Sequence, residues 1–320
     1  MSWAERLQTV LVALAALAGL AAGAAGDFGR FAEPVVLPAL LMMITAVFVQ
    51  LNLTQVRQVR GAGSLVICSL VLNYLVTPLL AWGLGAGLLA DQPDLRIGLL
   101  LLLVTPCTDW YLVFIALARG HTGIATALLP VNLILQLMLL PVYVLLLGGN
   151  AASVSLDSLV EAIVVVLLIP LTLATTLRWV SRRADLPALD SARLDRWASA
   201  VVIPMLCVAV FAMFLWQAPT VLGHTAELLY LLLPLGVFFL VLPVLATLSA
   251  RALKLPGPQR VTLTMVTVAR NSPIALGIAV VAFPDRPLIA LALVLGPLVE
   301  LPVLAVLSQV LRHREGRTLD

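Results

Sequence analysis

Apolar runs about 20 residues long recur along the whole chain, at 8–25, 35–52, 64–90, 97–118, 122–148, 157–180, 198–216, 226–250, 260–283 and 287–311. A helical run of that length crosses a hydrocarbon core roughly 30 Å thick. The bilayer offers no water to backbone N–H and C=O groups, so a lipid-exposed span must satisfy them internally, as a helix or within a closed barrel. Barrel strands read as segments of about ten alternating residues, a pattern these runs lack. The runs therefore predict an all-α, polytopic membrane protein of about ten transmembrane helices. Composition agrees: 62% hydrophobic residues, 11% charged residues and a mean hydropathy of +1.11 are too apolar for a soluble domain.

The first run follows Arg6 and is rich in alanine, but it is long for the apolar stretch of a cleaved leader. Retained as a span, it makes the count even and puts both termini on one side. Fifteen of the nineteen Lys and Arg then lie on the cytoplasmic side, only Arg30, Arg96 and Arg286 lie outside, and Arg270 falls within a span. That asymmetry is the positive-inside pattern. It predicts a multi-pass protein of the cell inner (plasma) membrane with cytoplasmic termini, and it explains the basic balance without a nucleic-acid partner. Cys68, Cys107 and Cys207 fall in three separate spans, with no disulfide or metal-ligand spacing.

The prolines pair at a nearly constant offset of 165 to 167 residues: Pro38 with Pro204, Pro78 with Pro243, Pro106 with Pro273 and Pro130 with Pro297. This spacing predicts an internal repeat, with residues 1–148 as a first five-helix half and 149–320 as a second. An odd number of spans per half inverts the second relative to the first, the arrangement typical of secondary transporters. The polar segment from Arg178 to Arg196 then lies inside the second half, as a cytoplasmic connector.

With Pro106 on Pro273, the repeat matches the stretch "TPCTD", Thr105 to Asp109, with the proline-interrupted stretch "NSPIA", Asn271 to Ala275. A proline deletes one helical hydrogen bond and its ring crowds the carbonyl four residues earlier. Both spans are expected to break at these positions. Irregular backbone at membrane depth is tolerated only where protein or a water-filled cavity surrounds it, and a matched pair of interrupted spans is the best sequence pointer to a transport site.

Four polar groups in and near these breaks require an account. Asp109 and Glu300 are carboxylates deep in the fourth and tenth spans, where an ionised group costs about 2.5–3.5 kcal/mol even on lenient scales. Each is expected to be paired, protonated or functional, so each is a candidate proton carrier as well as a candidate anchor. Arg270 is the basic residue that topology places in no loop; it is expected either to pair with one of them or to face an anionic substrate. Asn132 stands four residues before Gln136 on one face of the fifth span, as Asn73 stands before Thr77 on the third; such amides commonly fasten helices together. The candidate substrate and coupling residues are Thr105, Cys107, Thr108, Asp109, Asn132, Arg270, Asn271, Ser272 and Glu300.

Enzyme chemistry has little footing. His121, His224 and His313 lie at loops or the terminus, no phosphate-binding Gly-Lys motif is present, and no residue spacing calls for a cofactor or metal. The expectation is a carrier of small molecules.

At "CTDWYLVFIALARG", "ALLPVNLILQLMLLPVY", "ARNSPIALGIAV" and "LGPLVELPVL", the chain resembles the arsenical-resistance permeases of the bile-acid/sodium symporter superfamily. The resemblance runs over most of its length. It implies ten helices in two inverted repeats, with a panel domain of helices 1, 2, 6 and 7 and a core domain of helices 3, 4, 5, 8, 9 and 10, the fourth and ninth broken and crossing. It implies that Cys107 contacts a soft arsenic(III) centre and that the activity is efflux of arsenite or a related oxyanion, coupled to protons. Sodium-coupled members of the superfamily carry Ser-Asn where this chain has Tyr111 and Leu112, and Glu and Gln where it has Val266 and Arg270, which argues against sodium coupling. The arsenite permeases carry an acidic residue just after the ninth-span break, where Ile274 and Ala275 stand. The alternative reading is an organic-anion carrier of the bile-acid type, with Arg270 facing the anion.

Overall fold

The computed structural model describes residues 3–26, 29–50, 62–107, 111–148, 156–183 and 191–316. These residues are helical, with no strand among them. Six helices are long and apolar enough to cross a membrane: Gly29–Gln50, Gly63–Leu88, Asp157–Ser181, Ala192–Trp216, Thr225–Ala252 and Pro287–His313. The segment Thr122–Gln136 with Met138–Leu147, bent by 51°, makes a seventh if it counts as one span. Large apolar side chains point outward from these helices; Leu146 is 73% exposed and Leu240 72%. Outward-facing leucine on this scale suits lipid rather than water. The protein is a multi-pass membrane protein.

The expected count of ten is not reached by uninterrupted helices, and local chemistry shows why. In the fourth run, α5 (Pro93–Val104) stops before Pro106 and α6 (Tyr111–Leu117) begins after it; in the ninth run, α14 (Gly257–Val268) stops before Pro273 and α15 begins at Ser272 and runs to Ala282. Each piece is too short to span alone. In the first run the apolar stretch Val10–Ala25 is shorter than a full span.

Proline does not always break a helix here. Between α3 (Gly63–Val71) and α4 (Thr77–Leu88) lies a π turn over Leu72–Val76, where the Thr77 N–H reaches back to the Leu72 carbonyl. Pro78 follows at once and can give no N–H to Tyr74, the residue four before it. Widening the turn absorbs the lost bond, as single π turns do. A second π turn, Val164–Leu168, precedes Pro170 between α8 (Leu156–Ile163) and α9 (Ile169–Arg183).

The chain divides into two compact units. One comprises Met1–Leu51, Ser153–Leu228 and Pro273–Leu295; the other comprises Asn52–Ala152, Leu229–Ser272 and Gly296–Asp320. In the first unit, α10 (Ser191–Trp216) packs against both α1 (Trp3–Ala25) and α2 (Gly29–Gln50). Small residues make this packing close: a Cβ added at Gly23 would lie 2.5 Å from the Ala218 Cβ and 2.7 Å from the Leu215 carbonyl. Close approach of this kind drives association in lipid, where burying an apolar side chain gains nothing over leaving it in acyl chains. Arg178 on α9 donates to the Val49 carbonyl and, at 2.7 Å, to Asp195 on α10.

The second unit holds α3 to α7, where α7 is Thr122–Leu147, together with α13 (Leu232–Ala252), α14 and the later part of α16 (Pro287–Gly316). Within it α14 packs on α13 and α3, and α5 packs on α4 and α7. The Tyr111 hydroxyl at the start of α6 donates to the Ala125 carbonyl at 2.9 Å, tying the half-helix to α7.

Candidate functional site

The two interrupted segments meet each other. Thr105 to Cys107 and Ala269 to Asn271 run antiparallel, with Pro106 opposite Arg270. The Cys107 N–H donates to the Ala269 carbonyl at 3.0 Å, and the Asn271 N–H donates to the Thr105 carbonyl at 2.7 Å. These two bonds replace part of what each helix loses at its break. Buried backbone groups must be partnered, and in this crossing each broken chain supplies partners for the other.

The carbonyls that the prolines release are accounted for in the same way. Pro273 deprives Ala269 of its helical donor, and Ala269 accepts from Cys107. Pro106 deprives Leu102, which accepts from the Thr105 Oγ1 at 3.1 Å; the same hydroxyl reaches the Leu101 carbonyl at 2.9 Å. Pro78 deprives Tyr74, whose carbonyl accepts from the Tyr143 hydroxyl at 2.6 Å.

Arg270 is the largest fully buried side chain in the described structure, at 0% exposure. Its guanidinium donates to the carbonyls of Val268 at 3.2 Å, Leu103 at 2.7 Å and Thr267, and to the Asn73 Oδ1 at 2.7 Å. The Phe238 ring lies 5.5 Å from the guanidinium carbon. Its backbone N–H, in turn, donates to the Glu300 Oε1 at 2.8 Å. A buried charge is tolerable only when its hydrogen-bonding capacity is met, and here backbone, amide and aromatic face meet it together.

The tertiary structure thus gathers Thr105, Cys107, Arg270, Asn271, Ser272 and Glu300 at one crossing. The Ser272 Oγ is buried with no hydrogen-bond partner and lies against Gly296, where a Cβ would collide with it and come within 2.6 Å of the Leu102 Cδ1. Cys107 is buried. Asn132 lies one step away: Tyr74 donates its hydroxyl to the Asn132 carbonyl at 2.8 Å, and Tyr74 adjoins Asn73, which binds Arg270. The Asn132 Nδ2, both Gln136 amide atoms and the Thr77 Oγ1 are buried without partners. Thr108 and Asp109 lie outside the described residues.

Asn73, Tyr74, Tyr143, Thr267 and Gly296 are site neighbours that the candidate set omits. Asn73 had a visible signal, as an amide inside an apolar run next to Thr77 and Pro78. Thr267 and Gly296 had none, since a threonine and a glycine within a span read as ordinary packing residues.

Among the described residues no group of three or more His, Cys, Asp or Glu could hold a metal ion. The crossing brings together carbonyls, a hydroxyl, a thiol, an amide, a carboxylate and a guanidinium.

Similarity to known proteins agrees. Residues 37–223 match the profile of the Sodium Bile acid symporter family. The arsenical-resistance protein Acr3 of Corynebacterium glutamicum is 23% identical over 282 residues, covering 85% of this chain and 76% of that protein. Acr3 of Alkaliphilus metalliredigens is 23% identical over 281 residues, covering 84% and 78%. An uncharacterized transporter of Synechocystis, slr0944, is likewise 23% identical over 292 residues, covering 85% and 76%. With its multiple apolar helices and a family match over more than half its length, the chain belongs to the sodium bile acid symporter family and is a membrane transporter, not an enzyme.

Proposed function

We propose that this transporter is a secondary active carrier of the arsenite-permease type, exporting arsenite or a related oxyanion in exchange for protons. The observation that carries the reading is the position of Cys107. Its thiol is buried, and its own backbone N–H forms one of the two bonds that join the interrupted segments. A thiolate suits a soft arsenic(III) centre, and a single thiol binds such a centre weakly enough for release. Two relatives bear the name arsenical-resistance protein.

In this reading the chain has ten membrane spans in two inverted repeats, residues 1–148 and 149–320. Helices 1, 2, 6 and 7 form a panel, and the other six form a core that rocks against it. Thr105, Cys107, Thr108, Asn271 and Ser272 contact the cargo, Asp109 or Glu300 carries the proton, Asn132 extends the polar lining, and Arg270 sets the local charge. Both termini are cytoplasmic in the plasma (inner) membrane. The organic-anion alternative rests on Arg270, but four hydrogen bonds to carbonyls and Asn73 already occupy that guanidinium, which favours the oxyanion reading.

Everted membrane vesicles with an acidic interior test it. Arsenite uptake is expected with the wild-type chain and strongly reduced uptake with Cys107→Ser and with Asp109→Asn. Absence of uptake under every imposed gradient removes the substrate assignment.

A further inference from the structure

Half-helices α5 and α14 both end at the crossing, each in its last turn of carbonyls. A helix C-terminus carries the equivalent of about half a negative elementary charge, concentrated on carbonyls that lack helical donors. Two such ends held close together amount to about one negative charge. In membrane transporters, carbonyls at the ends of interrupted helices are what hold a driving cation.

In this chain those carbonyls accept from one side chain. Leu103 belongs to the last turn of α5, Thr267 and Val268 to the last turn of α14, and the carbonyls of all three accept from N–H groups of Arg270. Asn73 on the π turn supplies a fourth oxygen, and Phe238 presents its ring to the guanidinium. Four oxygens and an aromatic face surrounding one buried positive group are what a cation-binding cage consists of. An arginine side chain stays protonated in proteins, so this positive charge cannot dissociate.

We propose that Arg270 is a tethered cation: its guanidinium stands where a dissolved monovalent cation would otherwise sit between the ends of the two interrupted helices. With the guanidinium in place, the two helix ends need no sodium ion to balance their partial charge. A sodium ion entering it would meet a fixed like charge and oxygens that are already engaged. Removing the guanidinium should instead open a cation site in which sodium or free guanidinium can bind.

The test is a melting series on full-length wild type, Arg270→Lys, Arg270→Gln and Arg270→Ala in lipid nanodiscs. Sodium chloride, guanidinium chloride at low non-denaturing concentration, and choline chloride are compared at equal ionic strength. Wild type and Arg270→Lys are expected to melt at the same temperature in all three salts. Arg270→Ala is expected to melt lower by roughly 4 °C or more and to recover at least half of that loss in guanidinium or sodium but not in choline. Arg270→Gln retains N–H donors without charge and is expected to show the same cation response; if Arg270→Ala does not fold, it decides the matter. Neutral variants that melt alike in all three salts overturn the proposal, as does a wild-type protein that sodium stabilises. A merely structural tie would be weakened by substitution but would not regain stability from a small cation. The melt requires no cargo, so its outcome is independent of whether the substrate is arsenite.

Discussion

The Tyr143 hydroxyl donates to the Tyr74 carbonyl at 2.6 Å, and that carbonyl is the one Pro78 leaves without a helical donor. A side chain on α7 thus repairs a defect that proline creates in a neighbouring helix. Tyr143→Phe removes the repair while keeping the ring. The expected loss is about 1 kcal/mol, measured as a lower melting temperature in nanodiscs, with helix content by circular dichroism unchanged.

Thr105 performs the same service within its own helix, donating to the Leu101 and Leu102 carbonyls at the proline break. Thr105→Val preserves the shape and removes the donor. A destabilisation of about 1 kcal/mol is expected; Thr105→Ser, which keeps the hydroxyl, should melt close to wild type.

Gly296 is required by space. Its missing Cβ is the room in which the Ser272 Oγ and Leu102 sit. Gly296→Ala should cost about 1–3 kcal/mol through overpacking. Ser272 makes no hydrogen bond through its hydroxyl, so Ser272→Ala alone should be nearly neutral. The double variant should lose less than the sum, and a double-mutant cycle on melting temperatures measures that coupling. Strict additivity would show that the two residues do not share the space.

Glu300 separates structure from coupling. Its Oε1 accepts from the Arg270 N–H, and Gln at 300 can accept the same bond while Ala cannot. Glu300→Gln should stay within about 1 kcal/mol of wild type, whereas Glu300→Ala should lose about 1–3 kcal/mol through an unmet buried donor. If Glu300 carries the exchanged proton, Glu300→Gln loses uptake driven by a pH step in vesicles although it folds normally. Full pH-driven uptake by Glu300→Gln would assign the proton elsewhere.

Cys107→Ala distinguishes backbone from side chain at the same residue. The bond from Cys107 to Ala269 is made by the amide, so the crossing should survive, with melting within about 1 kcal/mol of wild type. Arsenite uptake should nonetheless fall strongly, as no thiol remains to meet the cargo.

Much of this protein was open to reading along the chain because the relevant physics is local. Apolar runs of bilayer length dictate helices wherever lipid leaves no other partner for the backbone. Pro106 and Pro273, each amid polar residues, mark where helical bonding must fail, since the missing N–H belongs to the residue itself. Arg270 and Glu300 stood out because charge at that depth demands compensation. Asn73 was visible as an amide but not as the partner of Arg270, which lies 197 residues away.

What the chain could not reveal by itself is how each demand is met. The need for a partner at Arg270 is a property of one side chain, but the partners are carbonyls of Leu103, Thr267 and Val268, and every residue in the chain has a carbonyl. Only packing selects among them, because it brings two helix ends within reach of one guanidinium. Likewise Pro78 announces an orphaned carbonyl at Tyr74, while the donor, Tyr143, comes from a helix far along the chain. Sequence determined the helices, the breaks and the unmet groups, because these follow from residue type and spacing; tertiary structure alone decided the pairings that satisfy them, because hydrogen bonds between distant segments depend on position in space.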